Sequence, residues 1–285
     1  MEEAELNVQV YGCTDIGKLR TRNEDSFVVA DLSTPSQPIH TMSQPTELAV
    51  RSRGVLLAVS DGMGGARAGE VASALTLHSL RKELRHAETS DAERALVASV
   101  EQANTDVWTA AASAERKGMG ATLTAVLIHG ARAYVAEIGD SRAYLLRGQQ
   151  IVQLTHDQSC VQLLLDAGTL TREQAETFPY KHIIMQAIGT KPNVVVALNR
   201  VALCQGDRLL LCSDGLTNKA TDEELRTLIT YSRLDVACSG LVELANVRGG
   251  DDNVTVVLAE MTGRGFARLP GHDRIALETL QEFAP

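Results

Sequence analysis

Two segments of this chain end alike. Val55 to Gly62 (VLLAVSDG) and Arg208 to Gly215 (RLLLCSDG) each run apolar and then deliver an aspartate and a glycine. Tyr134 to Ser141 (YVAEIGDS) varies the pattern around Asp140, and Asp251-Asp252-Asn253 places acids just ahead of the apolar run from Val254. Each carboxylate is thereby fixed where a buried strand emerges. Asp-Gly after a strand is also ordinary turn chemistry, so one such acid alone says little. Several brought together repel one another and are costly to desolvate unless protons or cations intervene. Hard divalent cations fill that role, and all-oxygen ligands favour Mg2+ or Mn2+ over zinc. None of the seven histidines stands in a paired ligand spacing such as His-x3-His. Two such ions roughly 3.5 to 4 Å apart can hold a water as hydroxide and steady an in-line displacement at phosphorus. Phosphate monoesters are among the slowest substrates to hydrolyse unaided, so they need this help most.

A second cluster, Arg20 to Asp25 (RTRNED), has two readings. Arg20 and Glu24 could form a surface ion pair of little worth. Alternatively the guanidinium grips a phosphate while Glu24 and Asp25 complete a metal's outer sphere. The loop Gly62-Met63-Gly64-Gly65 is a poor dinucleotide fingerprint, because Arg67 stands where the third glycine belongs and Asp61 would face the pyrophosphate. No Gly-x4-Gly-Lys-Ser/Thr loop is present either. The glycines suit close approach of backbone to a metal.

These residues must be carried by strands and helices. Strand patterns occupy Asn7 to Cys13, Ser26 to Asp31, Val55 to Ser60, Ala121 to His129, Arg132 to Ile138, Arg142 to Arg147, Ile151 to Leu154, Val194 to Leu203, Leu209 to Ser213 and Val254 to Glu260. Helical patterns occupy Ala68 to Arg85, Asp91 to Arg116, Ser159 to Asp166, Thr171 to Glu176, Thr221 to Thr230 and Leu234 to Val247. Ser33 to Arg53, with Pro35, Pro38 and Pro45, reads as a long surface loop. Asp273 to Phe283 reads as a helix in a C-terminal tail. Strands apolar at every position are buried on both faces, and hairpins in place of strand-helix alternation argue against a doubly wound sheet. The fold class is therefore α+β: two packed antiparallel β-sheets flanked by helices, an α-β-β-α sandwich. Residues 1–262 form one domain and 263–285 its tail.

At 285 residues, 44% hydrophobic and 22% charged, the chain can bury a full core without disulfides or a structural metal. A formal charge of -9 argues against nucleic-acid partners and against docking on anionic membranes. Five cysteines, odd in number and without close spacing, read as small buried hydrophobes in a reducing compartment. Met1 to Glu5 is acidic and no run approaches the roughly 20 apolar residues of a membrane span, so the expected location is cytoplasmic.

Five segments in order resemble the protein phosphatase 2C family, the metal-dependent protein phosphatases, in its compact bacterial branch. They are RTRNED at 20–25, DGMGGARAGEVAS at 61–73, GATLT at 120–124 with GDSR at 139–142, SDGL at 213–216 and DDNVT at 251–255. Together they cover about residues 8 to 260. The resemblance implies a Mn2+- or Mg2+-dependent phosphatase that hydrolyses phosphoserine and phosphothreonine in proteins with a metal-bridged hydroxide. By matching positions, Asp61 bridges two ions, the Gly62 carbonyl binds one, and Asp214 and Asp252 hold the other. Glu24 and Asp25 orient metal-bound waters, Arg20 binds the substrate phosphate, and Asp140 helps hold a third, weaker ion. Residues 155–190 correspond to a flap that shapes substrate access. The implied partners are phosphorylated substrates of a Ser/Thr kinase, and the implied state is a monomer. Two departures stand out. Met63 occupies the place of a proton-donating His in eukaryotic relatives, and Ala66 that of a His in many bacterial ones, which leaves the proton donor unassigned, with a metal-bound water as the default. Gln158 also breaks the usual flap pattern. The alternative is a catalytically weak or inactive module of the same fold that binds a regulatory partner.

Overall fold

The computed structural model describes residues 5–35, 37–64, 68–88, 90–180, 182–268 and 274–283. In chain order its elements are β1 (Asn7–Asp15), β2 (Asp25–Asp31), β3 (Thr46–Ala49), β4 (Val55–Met63), α1 (Ala68–His86), α2 (Ala92–Ala110), β5 (Gly120–Ala121), β6 (Leu123–His129), β7 (Arg132–Ile138), β8 (Arg142–Arg147) and β9 (Gln150–Gln153). After these come α3 (Cys160–Asp166), α4 (Arg172–Glu176), β10 (Ala197–Ala202), β11 (Arg208–Cys212), α5 (Asp214–Thr217), α6 (Asp222–Tyr231), α7 (Leu234–Val247), β12 (Val254–Met261) and β13 (Leu277–Gln281).

The strands form two antiparallel sheets. One runs β3-β1-β12-β11-β8-β9 and the other β13-β10-β7-β6-β4-β2, with β5 added beside β4. Strands apolar at every position have that pattern because they feed two cores at once. On β4, Val55, Leu57 and Val59 enter the layer between the sheets, while Leu56 and Ala58 face the layer under α1 and α2. On β11, Leu209 and Leu211 enter the same inter-sheet layer, and Leu210 and Cys212 face α6 and α7. The result is the α-β-β-α sandwich.

Several boundaries differ from the sequence reading. The Pro-rich stretch 33–53 contains β3, which pairs with β1 from Asn7↔Ala49 to Val10↔Thr46. Its prolines all precede the strand, and an edge strand tolerates such neighbours because one side needs no ladder. The helix from Asp91 ends at Ala110, with Asp91 capping it through its side chain to the Arg94 amide at 3.0 Å. The helix expected over 273–283 is replaced: Leu277–Gln281 is a strand pairing with β10, and Asp273 lies outside the described residues. Pairing with an available sheet edge overrides weak local helix propensity here. Arg200 of β10 reinforces it, gripping Glu278 at 2.7 Å and reaching Glu93 of α2 at 2.5 Å. Between β12 and β13, Phe266 and Ile275 are buried in the inter-sheet core.

Candidate active site

Both sheets bring acids to one rim. Asp25 and Asp61 are register partners across β2 and β4. Asp214 stands one residue beyond β11, and Asp252 precedes β12, its antiparallel neighbour, so both emerge on the same side. Asp140 sits in the crossing between β7 and β8, after Gly139, whose φ of 105° lies in the left-handed region. Arg20, Glu24, Asp61, Gly62, Asp140, Asp214 and Asp252 line one cleft of about 600 Å³. Asp25 lies beneath it, 7% exposed.

The packing that holds these side chains is tight. A Cβ on Gly62 would stand 2.1 Å from the Gly69 carbonyl oxygen, and one on Gly215 would stand 2.0 Å from that of Asn253. Neither glycine appears among those with positive φ. Glycine follows each aspartate because backbone passes close by, not because the chain turns through the left-handed region. The Asp61 amide donates to Thr122 Oγ1 at 2.9 Å, which in turn contacts Ser141 Oγ at 2.8 Å. Ser213 Oγ donates to Asp25 at 2.7 Å.

Asn253 ties the loop bearing Arg20 and Glu24 to the start of β12. Its Oδ1 accepts from the Glu24 amide at 2.8 Å, and its Nδ2 donates to the Ile16 and Arg22 carbonyls, each at 2.9 Å. Arg20 Nη2 donates to Asp252 at 2.8 Å, so the guanidinium pairs at the exposed edge of the cleft with Asp252 and not with Glu24.

The electrostatics report the crowding. Burial pushes the Asp61 carboxyl well above its ordinary range, with Asp25, Asp214, Asp140 and Asp252 adding to it. Burial likewise raises Asp25 to about 7 against the opposing Ser213 bond, and Asp140 to about 8 with help from Asp214. Asp214 and Glu24 are raised by burial as well. Two buried oxygens, Asp25 Oδ1 and Asp214 Oδ1, have no hydrogen-bond partner among the described residues. Unpaired carboxylate oxygens amid mutually repelling acids are what a hard cation would satisfy, so the donor set fits divalent metal. Among the described residues no three His, Cys, Asp or Glu side chains form a ready-made cage. Asp252 is held by Arg20 and Asp214 by Asn218 at 3.0 Å. Mg2+ in particular is commonly bound through one or two carboxylates, with water completing its shell.

Every site residue anticipated from the sequence falls at this rim or directly under it. Gly65, Ala66 and Arg67 of the glycine loop lie outside the described residues. Thr122, Ser213 and Asn253 were missed as functional positions although they sit inside the motifs. Their letters, between or beside the acids, carry the hydrogen bonds. His182 of the 155–190 segment also lines the cleft, as do Asn218 and Lys219, and no local pattern marks any of the three.

A two-sheet sandwich with an acidic, cation-seeking cleft at one rim defines the structural class. The chain belongs to the protein phosphatase 2C family, whose model matches residues 46–239. It is 41% identical over 217 residues to the serine/threonine protein phosphatase PstP of Mycobacterium tuberculosis, covering 75% of this chain and 41% of that protein. The chain thus spans about two fifths of that relative's length. It is 35% identical to the serine/threonine phosphatase stp of Listeria monocytogenes, covering 87% of this chain and 93% of that one. Among solved structures, the PstP catalytic domain in complex with two manganese ions superposes with a TM-score of 0.75 at 36% identity, covering 90% of this chain and 99% of that one. No helix among the described residues is long and apolar enough to cross a membrane.

Proposed function

We propose that the protein is a Mn2+- or Mg2+-dependent phosphatase acting on phosphoserine and phosphothreonine in proteins. The observation that carries this reading is the convergence of acids from both sheets, two with unsatisfied buried oxygens, in and beneath a cleft with Arg20 at its side. Asp61, the Gly62 carbonyl, Asp214 and Asp252 would hold two divalent ions, and Asp140 would contribute to a third. Bound there, the ions supply a water activated for attack at neutral pH. The chain's own residues do the rest. Arg20, about half exposed, is placed to take a phosphate oxygen from the cleft side. Glu24 and Asp25 orient water within the acid cluster, and Asn253 keeps the Arg20 loop in register with Asp252. Residues 1–262 constitute the phosphatase domain and 263–285 an appended segment. The partners are phosphorylated proteins made by a Ser/Thr kinase, and the protein works as a cytoplasmic monomer.

The test is hydrolysis of p-nitrophenyl phosphate and of phosphoserine and phosphothreonine peptides across a Mn2+ titration. EDTA should abolish turnover, Mn2+ should restore it, and Asp61→Ala should stay inactive. Full activity under thorough chelation would overturn the reading. Calorimetric metal binding without hydrolysis of any phosphopeptide would leave a binding module in its place.

A further inference from the structure

The outer face of β1 holds a feature that the phosphatase reading does not use. Alternation along β1 buries Val8, Val10 and Gly12 in the sandwich and turns Tyr11 and Cys13 toward α7. Cys238, on the buried face of α7, donates to the Tyr11 carbonyl at 3.7 Å, which sets its sulfur over the β1 backbone two residues from Cys13. Cys13 and Cys238 belong to one side-chain cluster between β1 and α7. Cys13 is partly exposed and Cys238 fully buried.

We infer that Cys13 and Cys238 are an oxidisable pair, a modification site for peroxide-class oxidants, at which closure to a disulfide ties β1 to α7 and slows turnover in the cleft. The thiolate of Cys13 attacks one oxygen of hydrogen peroxide. The O–O bond breaks, hydroxide leaves and is protonated to water, and Cys13 becomes a sulfenic acid. The Cys238 thiol then attacks the sulfenic sulfur. The S–S bond forms, the S–O bond breaks, and the departing hydroxide leaves as a second water with the Cys238 proton. Two thiols lose two electrons and one peroxide becomes two waters. The roles follow from environment. Cys13 is open to solvent on one side, with its thiol held below its ordinary range by the neighbouring Cys238, while Cys238 is enclosed and burial pushes its thiol well above that range. Cys13 is thus the group that meets oxidant, and Cys238 the one that resolves.

The cleft feels this closure because both elements run into it. β1 continues to Thr14, which accepts from Asn23 at 2.8 Å and contacts Thr255 at 2.7 Å. On α7, Asn246 donates to Asp15 at 3.0 Å, and just beyond it the Gly250 carbonyl accepts from the Lys18 amide at 2.7 Å. The loop carrying Arg20 therefore rests on both. An S–S bond of about 2.04 Å is shorter than any non-bonded sulfur–sulfur contact, so closing it draws β1 and α7 together. A displacement of about 1 Å at positioning groups can lower a rate by on the order of 10²-fold.

The experiment treats the full, Mn2+-loaded protein with hydrogen peroxide, then maps tryptic peptides without reduction and measures turnover. The expected result is one cross-linked species joining the Cys13 and Cys238 peptides, about 2 Da below their summed mass for the two hydrogens lost. Turnover should fall by roughly 10-fold or more and return with dithiothreitol. Cys13→Ser should form no such species and keep its turnover. Cys238→Ala should leave Cys13 as a sulfenic acid that dimedone traps. Absence of the 13–238 cross-link, a cross-link without loss of turnover, or equal loss in Cys13→Ser would each overturn the inference. The mass map requires no phosphatase activity, so a failure of the functional reading is distinguishable from a failure here.

Discussion

The segments 55–62 and 208–215 are near copies in sequence and do different work in the fold. Asp61 and Gly62 remain inside β4, paired with β2 on one side and β5 beyond, so the carboxylate is fixed by a continuing sheet. Asp214 and Gly215 instead open α5, one residue after β11 ends. Their serines diverge too. Ser60 Oγ donates to the Thr122 carbonyl at 2.6 Å and braces the sheet, whereas Ser213 Oγ donates to Asp25 and so touches the acid cluster itself. The same few letters yield a brace in one sheet and a polar contact with the site in the other. One strand runs on past its aspartate, and the other gives way to a helix there.

The sharpest way to break this comparison is at the acids. Asp61→Asn and Asp214→Asn should each lower turnover by ~10³-fold or more, the several kcal/mol that metal-ion electrostatics supplies at about 1.4 kcal/mol per tenfold. Asp61, raised by burial and further by four neighbouring acids, should be the less rescuable of the two by high Mn2+ in steady-state assays.

Next comes protonation. The folded, metal-free protein holds protons on Asp25 to about 7 and on Asp140 to about 8, whereas the unfolded chain releases them near the ordinary carboxylate range. Their contribution to stability is therefore fully present below about pH 4 and is lost progressively as pH rises from there to between 7 and 8. Thermal unfolding in EDTA should show Tm falling across that window. Mn2+ at 100 times its dissociation constant should restore about 2.7 kcal/mol at the alkaline end. A metal-free Tm that rises from pH 5 to 8 would contradict the crowding of acids described above.

The glycines come third. Gly62→Ala and Gly215→Ala both drive a methyl into backbone oxygen, and overpacking of this kind destabilises by about 1–3 kcal/mol. Differential scanning calorimetry should register both. A neutral outcome at either would mean the neighbouring backbone yields more readily than its packing implies. The smallest effects belong to the serines. Ser60→Ala should lose roughly 1 kcal/mol of stability and little activity. Ser213→Ala should lose a similar amount while also lowering kcat several-fold.

Much of this was legible in the sequence where local pattern and tertiary role agree. β7, β8 and α7 begin and end where the pattern placed them, since each combines a clear period with turn or cap residues at its ends. The acids were legible because strand ends announce them. Others were not. β3 has no hydrophobic period, being a half-exposed edge of four residues. β13 is a strand only because β10 offers an edge and Arg200 a grip on Glu278. The three-way role of Asn253 depends on carbonyls more than 230 residues away, which no local window contains.

That last strand has a consequence for how the molecule keeps to itself. Without it, β10 would present a row of bare amides and carbonyls able to template the addition of a foreign strand. Clipping the chain after Met261 would open that seam and also withdraw Phe266 and Ile275 from the interior. The damage would then surface as clumping of intact sandwiches, measurable by light scattering, with the distant cleft still chemically complete.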